Sequence, residues 1–169
     1  MPFTPFHMGP GILIKALLQG SFSLMVFGWA QIVMDLQPLF VLLTGEGHLH
    51  GFSHTYVGAT LLGIFSTLSG KYLSELGLKL IGVAKENSPI KITWWIAFGS
   101  ALTGTYSHVV LDSIMHSDIE PFYPLSQANS ILGFISVNEL HQFCLYSAFA
   151  GTAIYYSLQY VLKKNNKSI

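Results

Sequence analysis

The sequence predicts an all-α, polytopic membrane protein: about four transmembrane helices plus a short N-terminal re-entrant or half-spanning helix. Three observations carry this. First, 51% of the residues are hydrophobic and only 9% are charged, where a soluble domain has about a quarter charged. Second, the stretches 21–44, 52–72, 94–116 and 139–162 are each long and apolar enough to read as helices that cross a bilayer, which takes about 20 residues. Third, all eight cationic side chains are lysines, and all fall on one side of that arrangement. The chain reads as a single transmembrane domain, residues 1–169.

The elements follow in order. Residues 1–11 hold three prolines and two glycines and begin as irregular chain. Residues 12–19 are apolar except for Lys15 and too short to span alone. The first span, 21–44, contains Asp35, and Pro38 kinks it just after that residue. Residues 45–51, GEGHLHG, form a tight polar loop. The second span, 52–72, carries His54 in its first turn. Residues 72–87, YLSELGLKLIGVAKEN, have helical amphipathicity that predicts a helix lying on the membrane surface. The third span, 94–116, holds His108, Asp112 and His116. A polar and aromatic loop, 117–138, contains Pro121 and Pro124, and the fourth span, 139–162, leads to a basic tail with Lys163, Lys164 and Lys167. The N-terminus has no basic region ahead of a long apolar core, so it reads as having no cleaved signal peptide.

The lysines orient the chain. Lys15, the four lysines of the middle loop and the three of the tail share one face, while the opposite loops carry Glu46, Asp118, Glu120 and Glu139. The positive-inside rule puts the middle loop and the C-terminus in the cytoplasm. The absence of arginine and the net charge of zero argue against a nucleic-acid partner. Cys144 is the one cysteine, which excludes an internal disulfide and a cysteine-based zinc site.

The polar residues of the spans share a layer. His108 and Asp112 lie one helical turn apart on one face, among apolar neighbours. Such a pair is costly to bury without compensation, which either a divalent metal ion or a plain His–Asp hydrogen bond between helices supplies. Asp35 and His108 both come out about 13 Å below the outer ends of their spans, and Asp112 about half as deep. His50 and His54 stand at the outer mouth of the second span. A helix from Met8 to Gly20 running to the inner face returns His7 to the depth of Asp35, about 20 Å above that face. Three separate spans delivering His or Asp to one layer favours a metal site near the outer face.

In FHMGPG with His7, MDLQP with Asp35, HLHGFSHT with His50 and His54, GTYSHVVLDSIMH with His108 and Asp112, and the closing EPFYP, the chain resembles the YdjM-like membrane-bound metal-dependent hydrolases of the bacterial inner membrane. Their pattern is an N-terminal His, a Pro-Asp-Ile-Asp element, His-Arg-Gly-x-Thr-His-Ser, and Ser-His-x-x-x-Asp before an aromatic-proline end. Two positions depart from it: Gln37 replaces the second Asp of the Asp-x-Asp pair, and the arginine is absent. Gln37 then either binds through its carbonyl or leaves one metal where the family pattern would hold two.

The resemblance implies a metal-dependent hydrolase in a multi-pass inner-membrane protein. The ligands expected here are His50, His54, His108 and Asp112, with Asp35 and His7 as further ligands or their supports. Mixed imidazole and carboxylate donors suit Zn²⁺ first, with Mn²⁺ or Fe²⁺ as alternatives. His116 and Glu139 are the candidates for general base, set against plain interfacial residues at helix ends. The spacing His50-Gly-Phe-Ser-His54 lacks the glutamate of an HExxH protease, and no G-x-S-x-G turn is present. A site opening at the outer leaflet points to a lipid or lipid-linked ester or phosphoester. The competing readings are a divalent metal carrier using the same ligands, and a non-enzymatic His-rich protein that binds metal or haem.

Overall fold

The computed structural model describes residues 4–83 and 90–165. Among these residues the fold is all-helical, with no strand. Six α-helices are present: α1 (Thr4–Leu18), α2 (Leu24–Met34), α3 (Leu36–Thr44), α4 (Tyr56–Leu80), α5 (Trp94–Met115) and α6 (Val137–Asn165), with 3-10 turns at Gln19–Ser21 and Phe52–His54.

Local chemistry sets the ends of these helices. Ser23, Thr55 and Thr93 cap α2, α4 and α5 by accepting from the backbone N–H three residues on. Ser136 and Glu139 start α6 with a reciprocal box: the Glu139 carboxylate accepts from the Ser136 N–H and hydroxyl, and the Ser136 hydroxyl accepts from the Glu139 N–H. Gly45, at φ 75°, ends α3 in the left-handed conformation. Between α2 and α3 the helix breaks at Asp35, because Pro38 has no N–H for the Met34 carbonyl and its ring crowds that oxygen. The predicted kink therefore falls on the acidic residue itself.

α2, α4 and α5 pack together, and α1 pairs with α6 along one side of them. The buried face of α4 is made of Gly58, Ala59, Gly63, Ser66, Thr67, Gly70 and Ser74. Small residues at this spacing let helices approach closely without a large apolar core between them. The pairing of α1 with α6 uses the same device: a Cβ on Gly9 would collide with the Cys144 carbonyl, and one on Gly151 with the Leu13 backbone. Large apolar side chains point outward instead, among them Leu39, Phe40, Leu43, Leu61, Phe65 and Phe149.

Leu24–Thr44 is the one helix among the described residues that passes for a membrane span by length and apolar composition. α4, α5 and α6 have the length, and the glycine, serine, threonine and histidine on their packed faces lower their apolar character. Three expectations need correction. α1 already starts at Thr4, inside the stretch 1–11 read as irregular and ahead of the Met8 from which the helix was counted. α4 does not stop near residue 72 to give way to a surface helix; it runs on to Leu80. There the Lys71 ammonium pairs with Glu75 at 2.7 Å, and Glu75 also accepts from the Ile92 N–H, tying the start of α5 to the end of α4. The rest of the predicted surface segment, with Lys85, and the tail residue Lys167 lie outside the described residues. His54 is not in the first turn of α4 but in the 3-10 turn before it, on a backbone that crosses Gly58 at a distance only glycine permits.

Candidate metal centre

Each metal-ligating candidate arrives from a different local setting. His7 sits in the second turn of α1, Asp35 at the α2–α3 break, His50 and His54 on the short connection before α4, and His108 and Asp112 one turn apart on α5. His7, His54, His108 and Asp112 are each at most 3% exposed. Asp112 is the meeting point. Its Oδ1 lies 3.3 Å from His7 Nε2, and its Oδ2 lies 3.4 Å from His54 Nε2 and 3.2 Å from His108 Nε2. His108 Nε2 is also 3.3 Å from Asp35 Oδ1.

None of the three Nε2 atoms makes a hydrogen bond, and neither does Asp112 Oδ1. An orphaned buried polar atom costs about 1–3 kcal/mol. Four such atoms aimed at one another are therefore expensive as they stand. A divalent cation among them would accept the lone pairs together. It would also balance the two carboxylates, Asp35 and Asp112, against three neutral imidazoles. The donor set of imidazole nitrogen and carboxylate oxygen fits Zn²⁺, Mn²⁺ or Fe²⁺.

The other ring nitrogens have neighbours too, and Nδ1 of His7 lies 3.4 Å from Nδ1 of His108. His108 Nδ1 lies 2.6 Å from Gln31 Oε1. The Gln31 amide nitrogen donates to the Gly104 carbonyl and to the Ser107 hydroxyl, which turns its oxygen toward His108. Nδ1 of His108 is then the protonated nitrogen and Nε2 carries the lone pair. His54 Nδ1 lies 2.8 Å from the Ser53 hydroxyl. His50 Nδ1 faces both oxygens of Asp118, at 3.0 and 2.9 Å. Partial burial would raise the Asp118 carboxyl, but the contact with His50 outweighs it and holds that carboxyl below its ordinary pKa.

His50 has donor atoms within 4.8 Å of His54 and Asp112, and also of His116 and Asp118. His116 ends α5, and its ring stacks on His50 with centroids 4.3 Å apart. Glu139 belongs to neither group: it is exposed, and its carboxylate accepts from the Ser136 N–H and hydroxyl. Gln37 does not turn its carbonyl to the cluster. Its Oε1 accepts from the Ser53 N–H at 3.0 Å and its amide donates to the His48 carbonyl at 3.2 Å, so it braces the connection that carries His50 and His54.

Sequence reasoning passed over Gln31, Ser53 and Asp118. For Gln31 a signal existed: it is a fully buried amide on an apolar helix, one turn before Asp35. Asp118 was visible only as one acid of the outer loop.

No match is found among curated proteins or among solved structures. The family model described as YdjM inner membrane protein matches residues 13–166, nearly the whole chain and five of the six candidate ligands, and the chain belongs to that family.

Proposed function

We propose that the protein is a metal-dependent hydrolase of the inner membrane, spanning it about four times, with the C-terminus cytoplasmic and the metal centre nearer the outer face. The observation that carries the reading is the run of close contacts that joins His7, His54 and His108 through Asp112 and His108 to Asp35, with three imidazole nitrogens that make no hydrogen bond. His7, Asp35, His54, His108 and Asp112 would hold the ion, with His50 adjoining; Zn²⁺ is the first choice, with Mn²⁺ or Fe²⁺ as alternatives. Such an ion supplies a water of lowered pKa and polarises the bond under attack.

The chain's own residues do the rest. Gln31 fixes which nitrogen of His108 carries the lone pair, and Ser53 holds the His54 ring through its Nδ1. Gln37 holds the His50–His54 connection at its place beside α3. His116, half-buried next to His50, is the base candidate that the geometry favours over Glu139. An open cavity of about 370 Å³ reaches His50 and is walled by Phe52, Asp118, Glu120 and Tyr123. It would admit the head of a lipid or lipid-linked ester or phosphoester from the membrane surface.

The test is turnover of a panel of lipid esters and phosphoesters by protein in nanodiscs, beside metal flux into liposomes. The hydrolase reading predicts turnover that chelation removes and Zn²⁺ or Mn²⁺ restores, with no flux. It also predicts that His108→Ala abolishes turnover. Metal flux without turnover, sensitive to polar substitutions at Phe65 or Phe98 far from the cluster, contradicts it in favour of a carrier.

A further inference from the structure

We propose that the chain holds a second divalent cation, separate from the buried one, on His50, His116 and Asp118 beside the open cavity. The three side chains offer two imidazole nitrogens and a carboxylate, all within 4.8 Å of one another. His116 and Asp118 stand apart from the contacts around Asp112, and His50 adjoins both groups.

His50 Nδ1 stands 3.0 and 2.9 Å from the two oxygens of Asp118, a bifurcated hydrogen bond that turns the carboxylate toward the imidazole pair. His116 adds the second mark: its Nε2 is buried and without a hydrogen-bond partner, although the ring is only half-buried and packs against His50.

The burial is graded across the three. His50 is 7% exposed, His116 is half-buried, and the Asp118 side chain is 53% exposed. An ion here would meet protein on one side and the cavity on the other. Three protein ligands with an open position is the arrangement of a reactive site rather than a structural one. The donor set again suits Zn²⁺, Mn²⁺ or Fe²⁺. The cavity walls carry Asp118 and Glu120, and neither arginine nor lysine. A phosphate or carboxylate group entering there would find its positive partner in this ion. His50 also stands within reach of His54 and Asp112, so its ring separates the two centres. The inference does not depend on the reaction proposed above, since it concerns ion stoichiometry and not turnover; it takes His116 as a ligand in place of the base.

The experiment is metal analysis of the full, tag-free chain purified in detergent, equilibrated with excess Zn²⁺ and then desalted. Wild type is expected to retain two ions per chain, and Asp118→Asn one, with affinity for the outer ion lowered by more than about 10-fold. His116→Gln, altered at the end of α5 rather than in the loop, is expected to do the same. Retention of one ion by wild type, or of two by both variants, would overturn the proposal. So would loss of both ions together from a variant that still elutes as wild type does, because that would mean one shared centre.

Discussion

At His108 the two ring nitrogens differ in role, and a residue outside the cluster sets the difference. Gln31 accepts from Nδ1 at 2.6 Å, and the contacts of its amide nitrogen with Gly104 and Ser107 stop it from turning over. Gln31→Leu keeps roughly the volume and removes the acceptor. It leaves Nδ1 of His108 with only the longer contact to His7 Nδ1, at 3.4 Å, and frees the ring to change tautomer. The expected result is a loss of about 10–100-fold in affinity for Zn²⁺, measured by competition with a chelating dye, in protein that elutes as wild type does. Unchanged affinity would mean that the Gln31 contact merely fills space. The pair at His108 and Asp112 was legible in the sequence, because an i, i+4 repeat on an apolar helix has one geometry. Gln31 was not, because its meaning lies in what α5 brings to it. Glu139 taught the reverse lesson. Ser136-x-x-Glu139 is a legible helix start, and a carboxylate occupied in that way has little left for chemistry.

Among the elements, α1 depends most on close backbone approach. It brings His7 to Asp112, and it is held against α6 where Gly9 passes the Cys144 carbonyl. A methyl group at Gly9 has nowhere to go, so Gly9→Ala forces the two helices apart. Overpacking of this kind costs about 1–3 kcal/mol. Gly99 on α5 is the control, with nothing within 4 Å of where its Cβ would be. There alanine gains helix propensity of up to about 1 kcal/mol. Thermal unfolding in detergent should therefore show Gly9→Ala falling by several degrees and Gly99→Ala holding or rising. Equal behaviour of the two would contradict the packing of α1 on α6. The depth count expected His7 beside Asp35 from helix rise alone, and the structure brings both residues to His108. The end of α4 was misjudged. Its lysines and glutamate look interfacial by composition, yet the Lys71–Glu75 pair and the Glu75–Ile92 bond carry the helix onward to Leu80.

For the whole molecule, the lysine distribution and the small-residue faces belong together. The helices bury glycine, serine and threonine against each other and turn leucine and phenylalanine outward. This is the inverse of a soluble bundle and the expected result when lipid replaces water. It also explains why the composition announced a membrane protein so clearly, while single helices other than Leu24–Thr44 fall short as spans. The proposed orientation, lysines inside, predicts that a reporter active only outside works in the loop at 117–136 and fails after Ile169. The opposite pattern would place the cavity on the cytoplasmic side and remove the case for an outer-leaflet substrate.

The central claim is that the buried His and Asp residues are arranged for an ion and not for one another. The most direct measurement is the metal content of the tag-free chain in detergent beside His108→Ala and Asp112→Asn. The account predicts a bound transition metal in wild type and one ion fewer per chain in each variant. Wild type without metal, or both variants with the wild-type complement, would contradict it and leave these residues as ties between helices.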